Sequence, residues 1–421
     1  MSDNMAAEKL EVITVELEKE EFHETTTMVD ALSKMSHLKL LKLKNVNFSG
    51  SLSYLSNELG YITWDKYPFE FLPQSFQSEK LVQLSLSESN IKQLWKDKKP
   101  LHNLRRLDLS YSESLTKLPD FGEFLNLEWL NLKGCIKLRQ IDSSIGFPRK
   151  LIFMNLEDCI SLIMIPHFAY VLDLETLNLK GCIKLRKIDP SIGLLKKLSF
   201  LNFKNCKSLA SLPNSIFGLN SLEYLSLSGC SKLHIQLFGE QRDAEYLKKL
   251  CIGEAPIYSQ STSTYSRRVN KNLVSCLLSP SSTFLCMRYV ELSFCNLVQI
   301  PNAIGNLPCL KRLNLSGNNF ATLPNLKELS KLYYLNLQHC KQLKCLRELP
   351  SQTNLPSRTY QPPSLILELG ELGFREGPWS TTEPTTDISQ PGLYIFNCPE
   401  LVEMESSINM SLSWMIQINN H

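Results

Sequence analysis

The chain has 421 residues, of which 43% are hydrophobic and 21% are charged, and its formal net charge is +3. This composition is typical of folded globular proteins and excludes wholesale disorder. The charge is too small to indicate a nucleic-acid partner, and no run approaches the roughly 20 apolar residues of a membrane span, so we expect neither nucleic acid nor membrane as a partner.

Residues 1–37 are predicted to form an N-terminal cap. The acidic start, MSDNMAAEKLEVITVELEKEEF, differs from a secretory signal, which is basic and then apolar, so we expect a cytoplasmic protein, with a nuclear location also allowed. Residues 10–17 have the pattern of a strand, and residues 28–38 that of an amphipathic helix. Thirteen cysteines without CxxC pairs favour free thiols over a disulfide framework or a zinc site.

An internal repeat, LxxLxL, organises residues 38–349 into about 13 units. Its clearest copies are LEWLNLKGC, LETLNLKGC, LEYLSLSGC and LKRLNLSGN, and the units begin 21 to 25 residues apart except across one insertion at 254–286. The first residues of the units are Leu38, Leu59, Leu81, Leu104, Leu127, Leu151, Leu174, Leu198, Leu222, Leu247, Met287, Leu310 and Leu332.

The spacing within a unit predicts how the units assemble. Positions four and six lie on one face of an extended strand, and positions three, five and seven lie on the other. One strand cannot bury its apolar face alone, so the units must stack in parallel, with each return segment covering the buried side. Return segments such as IDPSIGLLKKL predict one-turn helices. The predicted fold class is therefore α/β, a leucine-rich-repeat solenoid that forms a right-handed curved stack with a parallel concave sheet.

Two segments are predicted to follow the array. Residues 350–392 are rich in Pro, Ser and Thr and are expected to form a linker. Residues 393–421 are expected to form a C-terminal strand at 393–401 and a short amphipathic helix at 410–418, at the start of a truncated post-repeat region.

A ladder of cysteines is predicted at position nine of the units, where a small polar group can meet backbone groups as the chain leaves the strand. Its members are Cys135, Cys159, Cys182, Cys206, Cys230, Cys295 and Cys340. The seven histidines show no HExxH motif, and the chain has neither GxxxxGK[ST] nor GxGxxG. We therefore predict no catalytic residues, no metal ligands and no cofactor.

The exposed face of the sheet offers candidate protein-binding residues. Two accounts fit them: aromatic residues and stacked asparagines suit a sheet in any case, and aromatic side chains also supply much of the affinity of protein interfaces. Position three carries Tyr61, Trp129, Phe153, Phe200, Tyr224, Tyr289 and Tyr334. Position five carries Asn131, Asn155, Asn178, Asn202, Asn314 and Asn336, and position seven carries Lys133, Glu157, Lys180 and Lys204.

Basic residues are concentrated in the middle of the array. The nearly identical segments GCIKLRQID and GCIKLRKID place KLR runs at 137–139 and 184–186. These runs are either a solvated rim or an electrostatic guide for an acidic protein partner.

Several motifs are similar to those of a known family: LPQSFQSEKLVQLSLSESNIKQLW at 72–95, LDLSYSESLTKLPDF at 107–121, and the LNLKGC units. They resemble the repeat region of plant intracellular disease-resistance receptors that carry an N-terminal Toll/interleukin-receptor domain and a central nucleotide-binding domain. The resemblance extends from about Glu8 to Ile418, and its most specific element is the signature formed by Ser89, Asn90, Ile91, Leu94 and Trp95.

This resemblance implies a non-enzymatic recognition module of plant innate immunity. In the family, the repeats sense a pathogen effector or a guarded host protein and restrain the nucleotide-binding domain, in cis or in trans. The glutamate that cleaves NAD and the phosphate loop are not found in this sequence, so no enzymatic activity is carried over. The alternative is a substrate adaptor of a ubiquitin ligase, although the units lack the regular 26-residue form of that group and no F-box-like segment precedes them.

Overall fold

Buried leucines at fixed positions draw the chain into one parallel sheet. In the unit that begins at Leu174, the side chains of Leu174, Leu177 and Leu179 have no exposed surface. The equivalent residues of the neighbouring units belong to the same hydrophobic core. Because burying one such side chain contributes roughly 1.5 to 3 kcal/mol, these positions dominate the stability of the array.

The structure is a computed structural model. It describes residues 10–17, 27–28, 30–46, 48–49, 51–77, 79–95, 99, 101–119, 121, 124–141, 148–165, 167–233, 284, 286–300, 302–346, 349–350, 392–404 and 416–417.

The described strands are short, and each repeat unit contributes one of them to the main sheet. They are β1 Val12–Glu16, β2 Thr27–Met28, β3 Leu40–Lys44, β4 Phe48–Ser49, β5 Tyr61–Trp64, β6 Gln83–Ser85, β7 Arg106–Asp108, β8 Trp129–Asn131, β9 Phe153–Asn155, β10 Thr176–Asn178, β11 Phe200–Asn202, β12 Tyr224–Ser226, β13 Tyr289–Glu291, β14 Arg312–Asn314, β15 Tyr334–Asn336, β16 Cys345–Leu346, β17 Gly392–Tyr394, β18 Glu403–Met404 and β19 Ile416–Gln417. Among the described residues, the main sheet has 15 strands in the order β1-β3-β5 to β15-β17-β19, while β2 pairs with β4 and β16 with β18.

The register of the sheet aligns equal positions of successive units. For example, Thr176 of β10 pairs with Phe153 of β9 on one side and with Phe200 of β11 on the other, and all three occupy position three. The main sheet is parallel throughout, so a side chain at one position continues as a column from unit to unit. The predicted leucine-rich-repeat solenoid is confirmed.

Short 3₁₀ helices form where one-turn helices were predicted in the return segments. They span Pro190–Leu194, Asn214–Gly218 and Asn302–Asn306. In the first of them, the carboxylate of Asp189 accepts a hydrogen bond from the backbone N–H of Ser191 at 2.9 Å, and Pro190 supplies a backbone angle that suits the helix start. The helices therefore begin at the Asp-Pro and Pro-Asn positions that the repeat pattern singles out.

Position eight of the units adopts a left-handed backbone conformation, which the repeat pattern did not predict. In the units from Leu104 to Leu332, a residue with a side chain alternates with glycine: Tyr111, Gly134, Asp158, Gly181, Asn205, Gly229, Phe294, Gly317 and His339 all have positive φ angles. The side chains of Tyr111, Asp158, Asn205 and Phe294 each fill the space above the glycine of the next unit. A Cβ atom added at Gly134 would lie 2.6 Å from the ring of Tyr111, and one at Gly317 would lie 2.3 Å from the ring of Phe294.

In the N-terminal cap, the expected opening strand is present and the expected helix is shorter than predicted. The strand predicted at residues 10–17 is β1, which pairs in parallel with β3. The helix predicted at 28–38 is limited to one turn, α1, Asp30–Ser33. Residues before it are drawn into strand pairing, because Thr27 and Met28 pair with Phe48 and Ser49.

Three predicted segments lie wholly or mostly outside the described residues. The unit expected at Leu247 lies outside the described residues, as does most of the insertion at 254–286, and β12 pairs directly with β13, so the intervening segment adds no strand between them. The linker predicted at 350–392 is also outside, except for Pro350 and Gly392. Of the helix predicted at 410–418, only residues 416–417 are described, and they form β19, which pairs in parallel with the edge of β17.

Candidate recognition surface

The sheet face opposite the leucines is lined by the side chains of positions three and five, and we call it the polar–aromatic face. Its position-three column runs in register from β5 to β15. All seven predicted aromatic residues are therefore brought into one column, interrupted by polar residues. In order, the column consists of Tyr61, Gln83, Arg106, Trp129, Phe153, Thr176, Phe200, Tyr224, Tyr289, Arg312 and Tyr334.

The aromatic rings of this column pack against one another in pairs. Trp129 and Phe153 are stacked with ring centroids 5.1 Å apart and an interplanar angle of 7°. Phe200 and Tyr224 are stacked in the same way at 4.5 Å and 10°. The guanidinium group of Arg106 lies 5.0 Å from the Trp129 ring, at a distance that favours a cation–π interaction. The rungs of the sheet, about 4.8 Å apart, set these distances.

A second aromatic group closes the C-terminal end of the face. The guanidinium group of Arg312 lies 4.2 Å from the ring centroid of Tyr334, which also contacts the ring of Tyr394 at 5.1 Å. Sequence reasoning missed Tyr394, because it follows the segment predicted to be a linker and its unit carries no LxxLxL pattern. It also missed both arginines, since it searched position three for aromatic residues alone.

Burial of the aromatic column differs from the prediction. The rings were expected to face solvent, and Tyr61 does so with 49% of its surface exposed. Phe200, Tyr289 and Tyr334, however, are only 8%, 7% and 4% exposed. Stacking covers the ring faces, since each side chain lies against the one in the next rung. Burial also raises the pKa of the Tyr224 hydroxyl.

The asparagines at position five have a local structural role. Each uses its side-chain carbonyl oxygen to accept the backbone N–H two residues later, with N···O distances of 2.9 to 3.2 Å. The bond closes a turn as the chain leaves the strand. The main contact of these asparagines is therefore with their own turn and not with the asparagine of the next strand. The residues that share this pattern are Asn131, Asn155, Asn178, Asn202, Asn314 and Asn336.

One position-five residue is an aspartate, which sequence reasoning did not single out. The carboxylate of Asp108 accepts the backbone N–H of Ser110 at 2.8 Å and the side-chain amide of Asn131 at 3.2 Å. Burial raises the pKa of this carboxyl, and the hydrogen bonds from Ser110 and Asn131 oppose the shift. Asp108 therefore closes the turn as the asparagines do, but it places an acidic group in a buried position.

The charged residues predicted at position seven form a compact network. The carboxylate of Glu157 lies 2.8 Å from the ammonium group of Lys180 and 3.7 Å from that of Lys133. The side-chain amide of Asn178 donates to the same carboxylate at 3.1 Å. Lys204 continues the row in the next unit. With three lysines and one glutamate, this margin of the polar–aromatic face is positively charged.

The cysteine ladder is confirmed as a set of free, hydrogen-bonding thiols. Each thiol donates to a backbone carbonyl of the preceding unit at 3.1 to 3.3 Å, and Cys398 extends the ladder beyond the predicted members. In two units Ser112 and Asn318 make the equivalent contact. Burial raises the pKa of Cys159, Cys206 and Cys295 to about 12.

His339, the histidine beside the ladder residue Cys340, has a hydrogen-bond partner of its own. His339 does not contact its neighbour Cys340 through its ring: its Nδ1 lies 3.1 Å from the amide of Asn397, while Cys340 donates to the carbonyl of Leu315. Within the described ranges, no group of three His, Cys, Asp or Glu residues is arranged to hold a metal ion. None of the described helices has the length and apolarity needed to cross a membrane.

The most specific motif of the sequence is part of the core. Ile91, Leu94 and Trp95 are buried, and the Trp95 ring stacks on Phe76 with centroids 6.5 Å apart. The motif therefore fixes the path of the return segment. It does not add residues to the polar–aromatic face.

Comparison with curated proteins finds plant relatives. TMV resistance protein N of Nicotiana glutinosa is 32% identical over 361 residues, which cover 77% of this chain and 31% of that protein. Disease resistance-like protein DSC1 of Arabidopsis thaliana is 32% identical over 331 residues, covering 71% of this chain and 27% of the relative. Disease resistance protein RPP4 of Arabidopsis thaliana is 30% identical over 329 residues, covering 75% and 24%. The chain thus spans less than a third of the length of these relatives.

The chain was also compared with family models and with solved structures. No family model matches the chain. Among solved structures, a leucine-rich-repeat protein of Leptospira interrogans aligns with a TM-score of 0.43 at 18% identity, over 82% of this chain and 91% of that one. The functional domain of InlJ from Listeria monocytogenes, which includes a cysteine ladder, aligns with a TM-score of 0.40 at 15% identity, over 80% and 62%.

Proposed function

This chain is a leucine-rich-repeat relative of the plant disease resistance proteins, and from that premise we propose that it is a non-enzymatic protein-recognition module in plant defence. Its partner would be a pathogen effector or a guarded host protein. In the context of a receptor, the same repeats would also restrain a nucleotide-binding domain, supplied in cis or in trans, and so couple recognition to signal transduction.

The observation that carries this proposal is the continuous polar–aromatic face. Trp129 and Phe153 form a rigid pair beside Arg106, and the margin formed by Lys133, Glu157 and Lys180 lies in the same units. Rigid aromatic groups lose little conformational entropy on binding, and charged margins select partners and increase association rates. A surface with this composition suits a protein partner.

Stacking within the column also argues for protein over nucleic acid. Single-stranded nucleic acids bind by stacking bases on free aromatic faces. Here Trp129 and Phe200 already stack on Phe153 and Tyr224, so those faces are occupied. We therefore propose neither nucleic acid nor a membrane as partner of this face.

The buried thiols support a non-enzymatic role in a reducing compartment. A nucleophilic cysteine needs a lowered pKa and access to solvent. The ladder thiols are buried with raised pKa values, and each is used as a hydrogen-bond donor, a role that disulfide formation would remove. We accordingly propose a cytoplasmic or nuclear location. No observation favours the ubiquitin-ligase adaptor.

A binding experiment tests this function. The purified chain would be screened against a displayed collection of plant-pathogen effector proteins, and the affinity of any binder would be measured for the Trp129→Ala variant. Because Trp129 is a rigid, half-buried aromatic residue at the centre of this group, its loss should weaken binding by about 2 kcal/mol, or roughly 30-fold.

The control is Lys150→Ala, which removes an exposed side chain that contacts Asn126 on the return side. This variant should bind as tightly as the original chain, and both variants should melt cooperatively. If every recovered binder retains its full affinity for Trp129→Ala, the polar–aromatic face is not the recognition surface.

A further inference from the structure

A second surface with its own chemistry lies on the return side of the array, away from the polar–aromatic face. Isolated parallel bridges join Gln140 to Met164, Met164 to Lys187 and Lys187 to Ser211, so position fourteen of four successive units is held in register. Position thirteen is in register too, because Ile163 donates its N–H to the carbonyl of Arg139, and Arg186 donates to that of Ile163.

These contacts place two exposed apolar side chains of one unit between the basic side chains of the two neighbouring units. Ile163 and Met164 are 43% and 56% exposed. Arg139 lies on one side of them, and Arg186 and Lys187 lie on the other, all with exposed side chains. We call this set, with Gln140, the flank strip. Its two basic rows are separated by two rungs, or roughly 9.6 Å.

The cations of the flank strip lack carboxylate partners among the described residues. Lys137 and Lys184, two residues before Arg139 and Arg186, add to the positive charge, and none of the five cations forms an ion pair in the described part of the chain. The sheet side of the same units differs, since Lys133 and Lys180 share Glu157 there. The return side therefore presents uncompensated charge around exposed apolar groups.

We infer that the flank strip is a docking surface for an acidic segment of a partner protein, with an aliphatic or aromatic anchor between its carboxylates. The anchor would cover Ile163 and Met164, and the carboxylates would pair with the arginines on either side. Charge complementarity identifies the acidic character of the partner, and the exposed apolar unit identifies the anchor. This site is separate from the polar–aromatic face and does not depend on the function proposed for it.

The geometry favours a protein segment over an anionic lipid surface. Peripheral membrane proteins insert a broad apolar face, often of an amphipathic helix, beneath the headgroups. The apolar part of the flank strip is one repeat unit wide and belongs to extended backbone held by parallel bridges. Such a narrow stripe suits the side chains of a single peptide segment.

Peptide selection tests the inference directly. Random displayed dodecapeptides would be selected on the intact chain, with removal of those that also bind the Ile163→Ser/Met164→Ser variant. The selected peptides should combine Asp or Glu with Leu, Phe or Trp. In fluorescence anisotropy, a labelled selected peptide should lose affinity about tenfold or more for Arg139→Gln/Arg186→Gln, and its affinity should fall as NaCl is raised from 50 to 200 mM.

The matched control is Lys117→Gln/Lys344→Gln, which removes two exposed cations from positions fourteen and thirteen of other units. It should leave the affinity of the selected peptide unchanged. The inference is wrong if selection yields no acidic peptides with an apolar anchor, or if the control variant loses as much affinity as the arginine variant. It is also wrong if the strip instead binds phosphatidylserine vesicles, with loss of vesicle binding in the serine variant and no peptide binding.

Discussion

At the scale of single residues, the least expected feature is the left-handed backbone at position eight. Only glycine adopts this conformation without steric cost, yet Tyr111, Asp158 and Phe294 adopt it as well. The repeat pattern does not reveal this conformation, because position eight is occupied by glycine in some units and by an aromatic or polar residue in others. Nor does the pattern reveal that the asparagines of position five close turns.

Replacement of Gly134 by alanine should destabilise the fold. The φ angle at Gly134 is +72°, and the new Cβ would lie 2.6 Å from the ring of Tyr111, so we expect a loss of at least about 1 kcal/mol in the free energy of unfolding measured with urea. Gly60→Ala is the control, because a Cβ there would meet its nearest atom at 3.6 Å. Equal stabilities of the two variants would contradict this account of position eight.

The thiol ladder should make stability depend on alkaline pH. The pKa of Cys206 is raised to about 12 in the folded state, while an unfolded thiol has a pKa near 8.5. Between these values the unfolded chain releases a proton that the folded chain retains, so stability should fall as pH rises above about 8.5. Cys206→Ala should reduce the slope of the urea midpoint against pH between 8 and 10.5, and replacement of the exposed Cys286 should not.

At the scale of the elements, the period of the leucines was sufficient to predict strand, register and buried face. Position four is buried in every described unit because parallel pairing repeats the same environment, so one well-defined unit determines its neighbours. The lengths of the terminal elements could not be predicted in this way. The strand β2, which precedes α1, pairs with β4, and β19 pairs with β17; a local hydrophobic pattern contains no information about such distant partners.

A charge placed in the leucine column should disrupt this element severely. Leu177 has no exposed surface and pairs with Met154 and Leu201 on either side. Leu177→Asp should therefore lower the free energy of unfolding by several kcal/mol, since the carboxylate would be buried among apolar side chains. Ala210→Asp, at an exposed position in the next unit, should melt within a few degrees of the original chain. A similar melting temperature for both variants would exclude the assigned register.

At the scale of the whole molecule, the direct pairing of β12 with β13 makes the array continuous across the insertion. The sequence predicted a unit at Leu247 because the local LxxLxL match has the correct spacing from Leu222, and only the pairing order reveals that no strand lies between β12 and β13. A motif match alone does not show whether a segment contributes a strand to the stack.

This continuity predicts that the insertion can be shortened. Replacement of residues 234–283 by about eight Gly and Ser residues would restore a spacing close to that of the other units between Leu222 and Met287. The melting temperature should stay within a few degrees, because the pairs Tyr224–Tyr289 and Leu225–Val290 are retained. Loss of cooperative melting would show that the replaced segment is required for the stack.

Because side chains and glycines alternate at position eight, this part of the array repeats every two units. Between Tyr111 and His339, each unit with a side chain at this position is followed by a unit with glycine, and the near-identical segments GCIKLRQID and GCIKLRKID are two units apart. Within this range, removing or duplicating one unit would break the alternation of side chains and glycines, whereas removing or duplicating two units would preserve it. This part of the array should therefore be lengthened or shortened by pairs of repeats.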